Sequence, residues 1–75
     1  MRIERDESRS KIYPDFYTYV GDEFICTVTT SPFLYSNGIT GVQHYCLEEL
    51  GHRGFETPQD CADVVLTKRY FDKVG

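Results

Sequence analysis

Aromatic and β-branched residues are concentrated in two short arms within residues 16–30, separated by Gly21-Asp22. A glycine at the first central position of a two-residue loop is typical of a type II′ turn, whose twist matches that of paired strands. The pattern therefore predicts a β-hairpin over residues 16–30, and we expect the rest of the chain to be organised around it.

The turn sets the expected register of this hairpin. If Val20 faces Glu23, then Tyr19 faces Phe24 and Tyr17 faces Cys26, because successive pairs follow one another along both strands. One face would then carry Tyr17, Tyr19, Phe24, Cys26 and Val28. We expect helices to cover this face, since a hairpin alone is marginal in water. The opposite, half-apolar face would stay open, with Phe16, Thr18, Val20, Glu23, Ile25 and Thr27.

The segment after the hairpin is harder to assign. Ser31-Pro32 predicts the end of the second strand, because proline has no N–H for the ladder. Residues 33–35 are apolar and could form a third strand or a packed loop, and a turn is indicated by Ser36-Asn37-Gly38.

Residues 41–50 have apolar positions at helical spacing: Val42, Tyr45, Cys46 and Leu50. Thr40 and Gln43 have capping-box spacing, so we predict a short helix here. The competing interpretation is a strand over residues 42–47, which would place Val42, His44 and Cys46 on one face.

The last predicted element is a helix over residues 58–73. Thr57 is a preferred N-cap, Pro58 suits the first helical position, and Asp60 lies where the helix dipole favours an acid. Apolar residues then recur at helical spacing. A strand over residues 64–71 is the rival interpretation, since that stretch is β-branched and aromatic.

Together these elements predict a single α+β domain over residues 12–75. It would have a small antiparallel sheet of two or three strands packed against two helices, at about 41–50 and 58–73. Residues 1–11 are charged and aperiodic, which predicts a flexible N-terminal tail or an edge extension that a partner orders.

The length and charge of the chain indicate the class of function rather than the fold. The chain has 75 residues, with 8 Lys and Arg against 12 Asp and Glu, a net charge of −4. So short a chain buries only about 60% of its unfolded surface, which favours a binding or regulatory module over a self-contained enzyme. An acidic body disfavours phosphate backbones and fits a larger protein partner with a basic surface.

The three cysteines, Cys26, Cys46 and Cys61, are far apart and odd in number. With no apolar run of membrane length, they indicate buried free thiols in a reducing compartment, hence a cytoplasmic protein without a membrane partner. Cys46 with His44 or His52 is the candidate nucleophilic pair or metal site, but the spacing matches no known ligand pattern. We therefore expect no enzyme activity, no cofactor and no metal.

Two binding surfaces remain as hypotheses. The first is the hairpin face predicted to stay open, with binding residues Phe16, Val20, Asp22, Glu23 and Ile25. The second is a nucleic-acid platform on which bases stack against exposed tyrosines while the basic tail follows the phosphates. It would use Tyr17, Tyr19 and Phe24 together with Arg2, Arg5, Arg9 and Lys11.

The first hypothesis accounts for size, acidity and aromatic content together. It predicts a small acidic, non-enzymatic protein-binding module that inhibits or regulates a larger protein, for example one that handles nucleic acids. In size, acidity and lack of a catalytic motif, the chain resembles the small host- or defence-modulating proteins of bacteriophages. The alternative is a small nucleic-acid-binding module. A homodimer through the open sheet is compatible with either.

Overall fold

Four antiparallel strands and one long helix make up the structure, a computed structural model that describes residues 1–74. The strands pair in chain order to form one sheet. The elements are β1 Arg2–Asp6, β2 Asp15–Val20, β3 Glu23–Leu34, β4 Thr40–Tyr45, the single turn α1 Leu47–Leu50 and the helix α2 Pro58–Val74. The α+β class is confirmed, but the sheet has four strands where two or three were predicted.

The predicted hairpin is present as β2 and β3, with Val20 opposite Glu23. Gly21 has a φ of 60°, and Gly21, Gly38 and Gly51 are the positive-φ positions within residues 1–74. Asp22 therefore has a negative φ, and this combination of signs is that of the predicted type II′ turn.

A β-bulge interrupts this hairpin and changes which side chains share a face. Tyr19 lies opposite Phe24, but Thr18 lies opposite Cys26, so Ile25 has no partner on β2. Ile25 and Cys26 are consecutive, yet both are buried, because a bulge turns two neighbouring side chains towards one side. The predicted Tyr17–Cys26 pair is wrong, since Tyr17 lies opposite Thr27.

Helix α2 covers the face of the sheet that was expected to stay open. Its buried residues are Cys61, Ala62 and Val65. The core cluster joins α2 to the sheet and to the residue after β4, and comprises Ile25, Cys26, Val28, Cys46, Cys61 and Val65, with Phe16, Leu50, Phe55 and Leu66 packed against it. The predicted start of α2 is confirmed, because Thr57 Oγ1 accepts a hydrogen bond from the Asp60 N–H at 3.1 Å.

The predicted helix over residues 41–50 is wrong over most of its length. Thr40–Tyr45 is β4, which pairs with the second half of β3, and only Leu47–Leu50 is helical. Strand β3 continues through Pro32, which lies opposite Val42. Pairing between β2 and β3 ends at Thr29, so Pro32 has a strand neighbour on one side only, where a proline is tolerated.

The N-terminal residues expected to form a charged tail contain a strand. Arg2–Asp6 is β1, which pairs with residues 15–19 of β2 and forms one edge of the sheet. Four of its five side chains are charged, which is typical of an edge strand because charges discourage unspecific strand pairing.

Candidate functional site

The face of the sheet opposite α2 carries three neighbouring rings, those of Tyr17, Tyr19 and Phe24. We call these three residues the aromatic face. The ring centroids of Tyr19 and Phe24 are 5.7 Å apart and those of Tyr17 and Phe24 are 6.4 Å apart, both in tilted or edge-on geometry. Phe24 is 51% exposed and the two tyrosines are half-buried. The rings support one another while keeping part of their apolar surface in water.

Strand β1 borders the aromatic face with charged side chains. Arg2 lies opposite Tyr19 in the sheet, and its guanidinium carbon is 4.6 Å from the centre of the Tyr19 ring. The same guanidinium is 3.2 Å from the Glu4 carboxylate. Glu4 in turn lies opposite Tyr17. The border of the aromatic face therefore contains a cation–π contact between Arg2 and Tyr19, with the Glu4 carboxylate beside the guanidinium.

Tyr17 is tied to the end of β1 by its hydroxyl, which donates a hydrogen bond of 2.7 Å to the Asp6 carboxylate. This bond lowers the pKa of Asp6, and the Ser8 backbone N–H that donates to the same carboxylate lowers it further. The same hydrogen bond, and after it the charge of Asp6, raise the pKa of Tyr17. Asp6 therefore remains ionised, and a fixed negative charge lies at the edge of the aromatic face.

Three of the four cations assigned to the predicted tail, Arg2, Arg5 and Arg9, are engaged within the chain. Arg5 lies 2.8 Å from the Glu7 carboxylate and donates to the Lys11 carbonyl at 3.0 Å. Arg9 lies 3.3 Å from the Asp15 carboxylate and also donates to two backbone carbonyls. These contacts order the loop between β1 and β2 and leave less free positive charge than a mobile tail would offer.

The structure separates the five binding residues predicted from the sequence. Val20, Asp22 and Glu23 are exposed at the hairpin tip. Ile25 is 8% exposed and belongs to the core cluster, while Phe16 packs against that cluster. The expectation that all five line one open face is therefore wrong, because the face that carries Phe16 and Ile25 is the one that α2 covers.

From the sequence, the three rings of the aromatic face are predicted to lie under the helices in the first hypothesis and to be exposed in the nucleic-acid alternative. The bulge at Ile25 separates the predicted face into two sets. Cys26 and Val28 are covered as predicted, whereas Tyr17, Tyr19 and Phe24 lie on the opposite, open face. The acidic border was missed, since Glu4 and Asp6 were assigned to a tail. The one local signal for a strand at these residues was Ile3, an apolar side chain among alternating charges.

Of the candidate nucleophilic and metal residues, the cysteines and His44 are core groups, whereas His52 is exposed. Burial raises the pKa of the Cys61 thiol to about 12 and also raises the pKa of Cys26. Cys46 is buried as well. His44 is buried, with its ring Nδ1 3.2 Å from the Phe55 carbonyl oxygen. Within residues 1–74, no three His, Cys, Asp or Glu side chains are grouped as metal ligands.

A depression of about 290 Å³ lies near the aromatic face, towards β4. Its lining combines hydroxyl groups with apolar surface and consists of Thr29, Ser31, Pro32, Tyr45, Leu47 and His52. Thr29 lies opposite Asp15 on one side and Tyr45 on the other, so the depression continues the open side of the sheet. It enlarges the surface that a partner could contact.

Two further observations bear on the kind of protein. In the part of the chain that the structure describes, no helix is both long enough and apolar enough to cross a membrane. Comparisons with protein-family models, with curated proteins and with solved structures find no match. The function therefore has to be argued from the aromatic face and its charged border.

Proposed function

We propose that this chain is a small acidic, non-enzymatic protein-binding module that docks on a larger partner and thereby inhibits or regulates it. The observation that carries the proposal is the aromatic face, three contacting rings on the side of the sheet that α2 leaves uncovered. Partly exposed Tyr and Phe are the residue types enriched at the centres of protein interfaces.

The rings are already ordered before any partner arrives. Tyr17 is held by its hydrogen bond to Asp6, Tyr19 by Arg2, and Phe24 by contact with both rings. Side chains fixed in this way lose little conformational entropy on binding, so more of the gain from burying their apolar surface appears as affinity. The site is thus suited to rigid docking on a partner surface.

The charges around the rings indicate the sign of that surface. Glu4 and Asp6 border the rings and outnumber Arg2 there, Asp22 and Glu23 lie exposed at the hairpin tip, and the whole chain has a net charge of −4. Such a surface attracts a basic partner and speeds the encounter at low salt. A larger protein with a positively charged groove, such as one that handles nucleic acids, fits this description.

The test is capture of a partner from host lysate with tagged protein after nuclease treatment, compared across two matched variants. Phe24→Asp changes the aromatic face, whereas Phe71→Asp changes a phenylalanine on α2 that is 63% exposed. We expect a partner that is retained by the wild type and by Phe71→Asp, lost with Phe24→Asp, and released by salt. Equal retention by both variants would contradict the proposal.

A nucleic-acid-binding module is the second candidate, because the open tyrosines that it requires are on the surface after all. The carboxylates of Glu4, Asp6 and Asp15 oppose it, since they lie where phosphates would approach. A labelled single-stranded oligonucleotide at low salt distinguishes the two candidates. Binding that is lost on neutralising Arg2, Arg5, Arg9 and Lys11 would favour this candidate over the first.

A further inference from the structure

The aromatic face already binds one guanidinium, which belongs to its own chain. Arg2 lies over the Tyr19 ring at 4.6 Å and is 3.2 Å from the Glu4 carboxylate. A ring below and a carboxylate beside it are the two groups that bind a guanidinium best, through cation–π attraction and a charge-assisted hydrogen bond. This contact within the chain shows that side chains of the neighbouring strands β1 and β2 can together bind a guanidinium.

The next position along the same strands has the ring and the carboxylates but no cation. Tyr17 precedes Tyr19 by two residues on β2, and lies opposite Glu4 on β1. The Asp6 carboxylate accepts its hydroxyl hydrogen. Within residues 1–74, the cation–π contacts are those of Arg2 with Tyr19 and of Arg53 with Phe55, so the Tyr17 ring has none.

We infer that the aromatic face binds an arginine side chain of the partner, with its guanidinium over the Tyr17 ring, against Phe24 and beside the Asp6 and Glu4 carboxylates. This inference rests on the proposed function and names the chemistry of the partner at the same site. The partner's arginine would make with Tyr17 the arrangement that Arg2 makes with Tyr19, at the neighbouring position on the same face of β2.

Arginine fits this position better than lysine for reasons of shape. A planar guanidinium stacks on an aromatic ring and can still donate in its own plane to two carboxylates. The compact ammonium of lysine is more strongly hydrated and loses more on leaving water. The exposed face of Phe24 adds apolar surface that suits the weakly hydrated guanidinium plane.

The test is an NMR titration of the full chain with three capped peptides of equal length, in which glycine alternates with arginine, lysine or citrulline. Citrulline keeps the planar shape but has no charge. We expect shift changes centred on Tyr17, Tyr19 and Phe24 with the arginine peptide, roughly threefold or more weaker binding with lysine, and loss of binding with citrulline. Equal affinity for arginine and lysine, or shifts mapping elsewhere, would overturn the inference.

Three variants localise the effect to one ring. Tyr17→Leu removes the ring, and should weaken binding of the arginine peptide to the level of the lysine peptide. Tyr17→Phe keeps the ring and should retain binding, while Tyr70→Leu on α2 is the matched control and should change nothing. If Tyr17→Leu does not fold, Tyr17→Phe and the comparison with the citrulline peptide still test whether the site binds a guanidinium. Retained binding in a folded Tyr17→Leu variant would contradict the assignment.

The peptide experiment and the capture experiment fail separately. Suppose that a captured partner depends on Phe24 but the peptides bind regardless of charge or side-chain type. The proposed function would then stand, and the inference that the site binds an arginine would be contradicted. If instead the arginine peptide binds selectively but no captured partner depends on Phe24, the arginine inference would be supported and the proposed function would be contradicted.

Discussion

Thr18 of β2 lies directly across from Cys26 of β3. In an uninterrupted hairpin, the neighbouring Tyr19–Phe24 pair would instead place Thr18 opposite Ile25. The extra residue in β3 decides which side chains α2 covers, because side chains alternate between the two faces of a strand and a shift by one residue exchanges them. The open aromatic face is a consequence of this one bulge.

The bulge predicts opposite outcomes for two adjacent substitutions. Ile25→Ala should lower the free energy of unfolding by about 2–4 kcal/mol, since Ile25 is a core residue and its truncation leaves a cavity. Phe24→Ala should lower it by about 1 kcal/mol, mainly through lost ring contacts. Urea denaturation of both variants measures the difference. A larger loss for Phe24→Ala would contradict the assigned faces.

Thr30 should tolerate replacement by valine with a gain in stability. Its side chain is buried, and its Oγ1 has no hydrogen-bond partner in the structure. Thr30→Val removes a polar group without a partner and keeps the β-branched shape, which should raise the free energy of unfolding by about 1 kcal/mol. Thr27→Val, at an exposed position of the same strand, is the control and should have little effect. A loss of stability in Thr30→Val would show that the hydroxyl is hydrogen-bonded.

The hydrogen bond between Tyr17 and Asp6 should be visible in the titration of the carboxyl group. Tyr17→Phe removes the donor, so the pKa of Asp6 should rise towards its ordinary value. The stabilisation that the ionised Asp6 provides is present above the ordinary pKa of an aspartate, and is lost as the pH falls through the lowered value. NMR titration of the Asp6 carboxyl carbon measures the change, and Tyr19→Phe should leave it unaltered.

Burial of Cys61 should make the fold less stable at alkaline pH. The thiol ionises near pH 9 in the unfolded chain, but its pKa is raised to about 12 in the folded one. Between these values the unfolded state binds fewer protons, so stability falls as the pH rises, by up to about 1.4 kcal/mol per pH unit from this group. Urea denaturation at pH 8, 9 and 10 should give a shallower fall for Cys61→Ala. The same slope in both proteins would contradict the assignment.

Local signals in the sequence were sufficient for the elements whose ends have their own chemistry. Gly21-Asp22 gave the turn of the β2–β3 hairpin, because a positive φ at the first loop position favours glycine. Thr57-Pro58 gave the start of α2, since the cap and the fixed proline φ act within the first turn. The acidity and the α+β class were also readable, because composition and element type depend little on long-range contacts.

Only the tertiary structure decided the remainder. Val42, Tyr45 and Cys46 are spaced for a helix and fit a strand equally well, and pairing with β3 selected the strand. The bulge at Ile25 leaves no mark in the sequence, yet it places Cys26 and Val28 on the face of Phe16 and Ile25, which α2 covers, and so leaves the aromatic face open. Which face is covered depends on contacts between residues far apart in the chain, as where α2 packs on β3, so local periodicity cannot fix it.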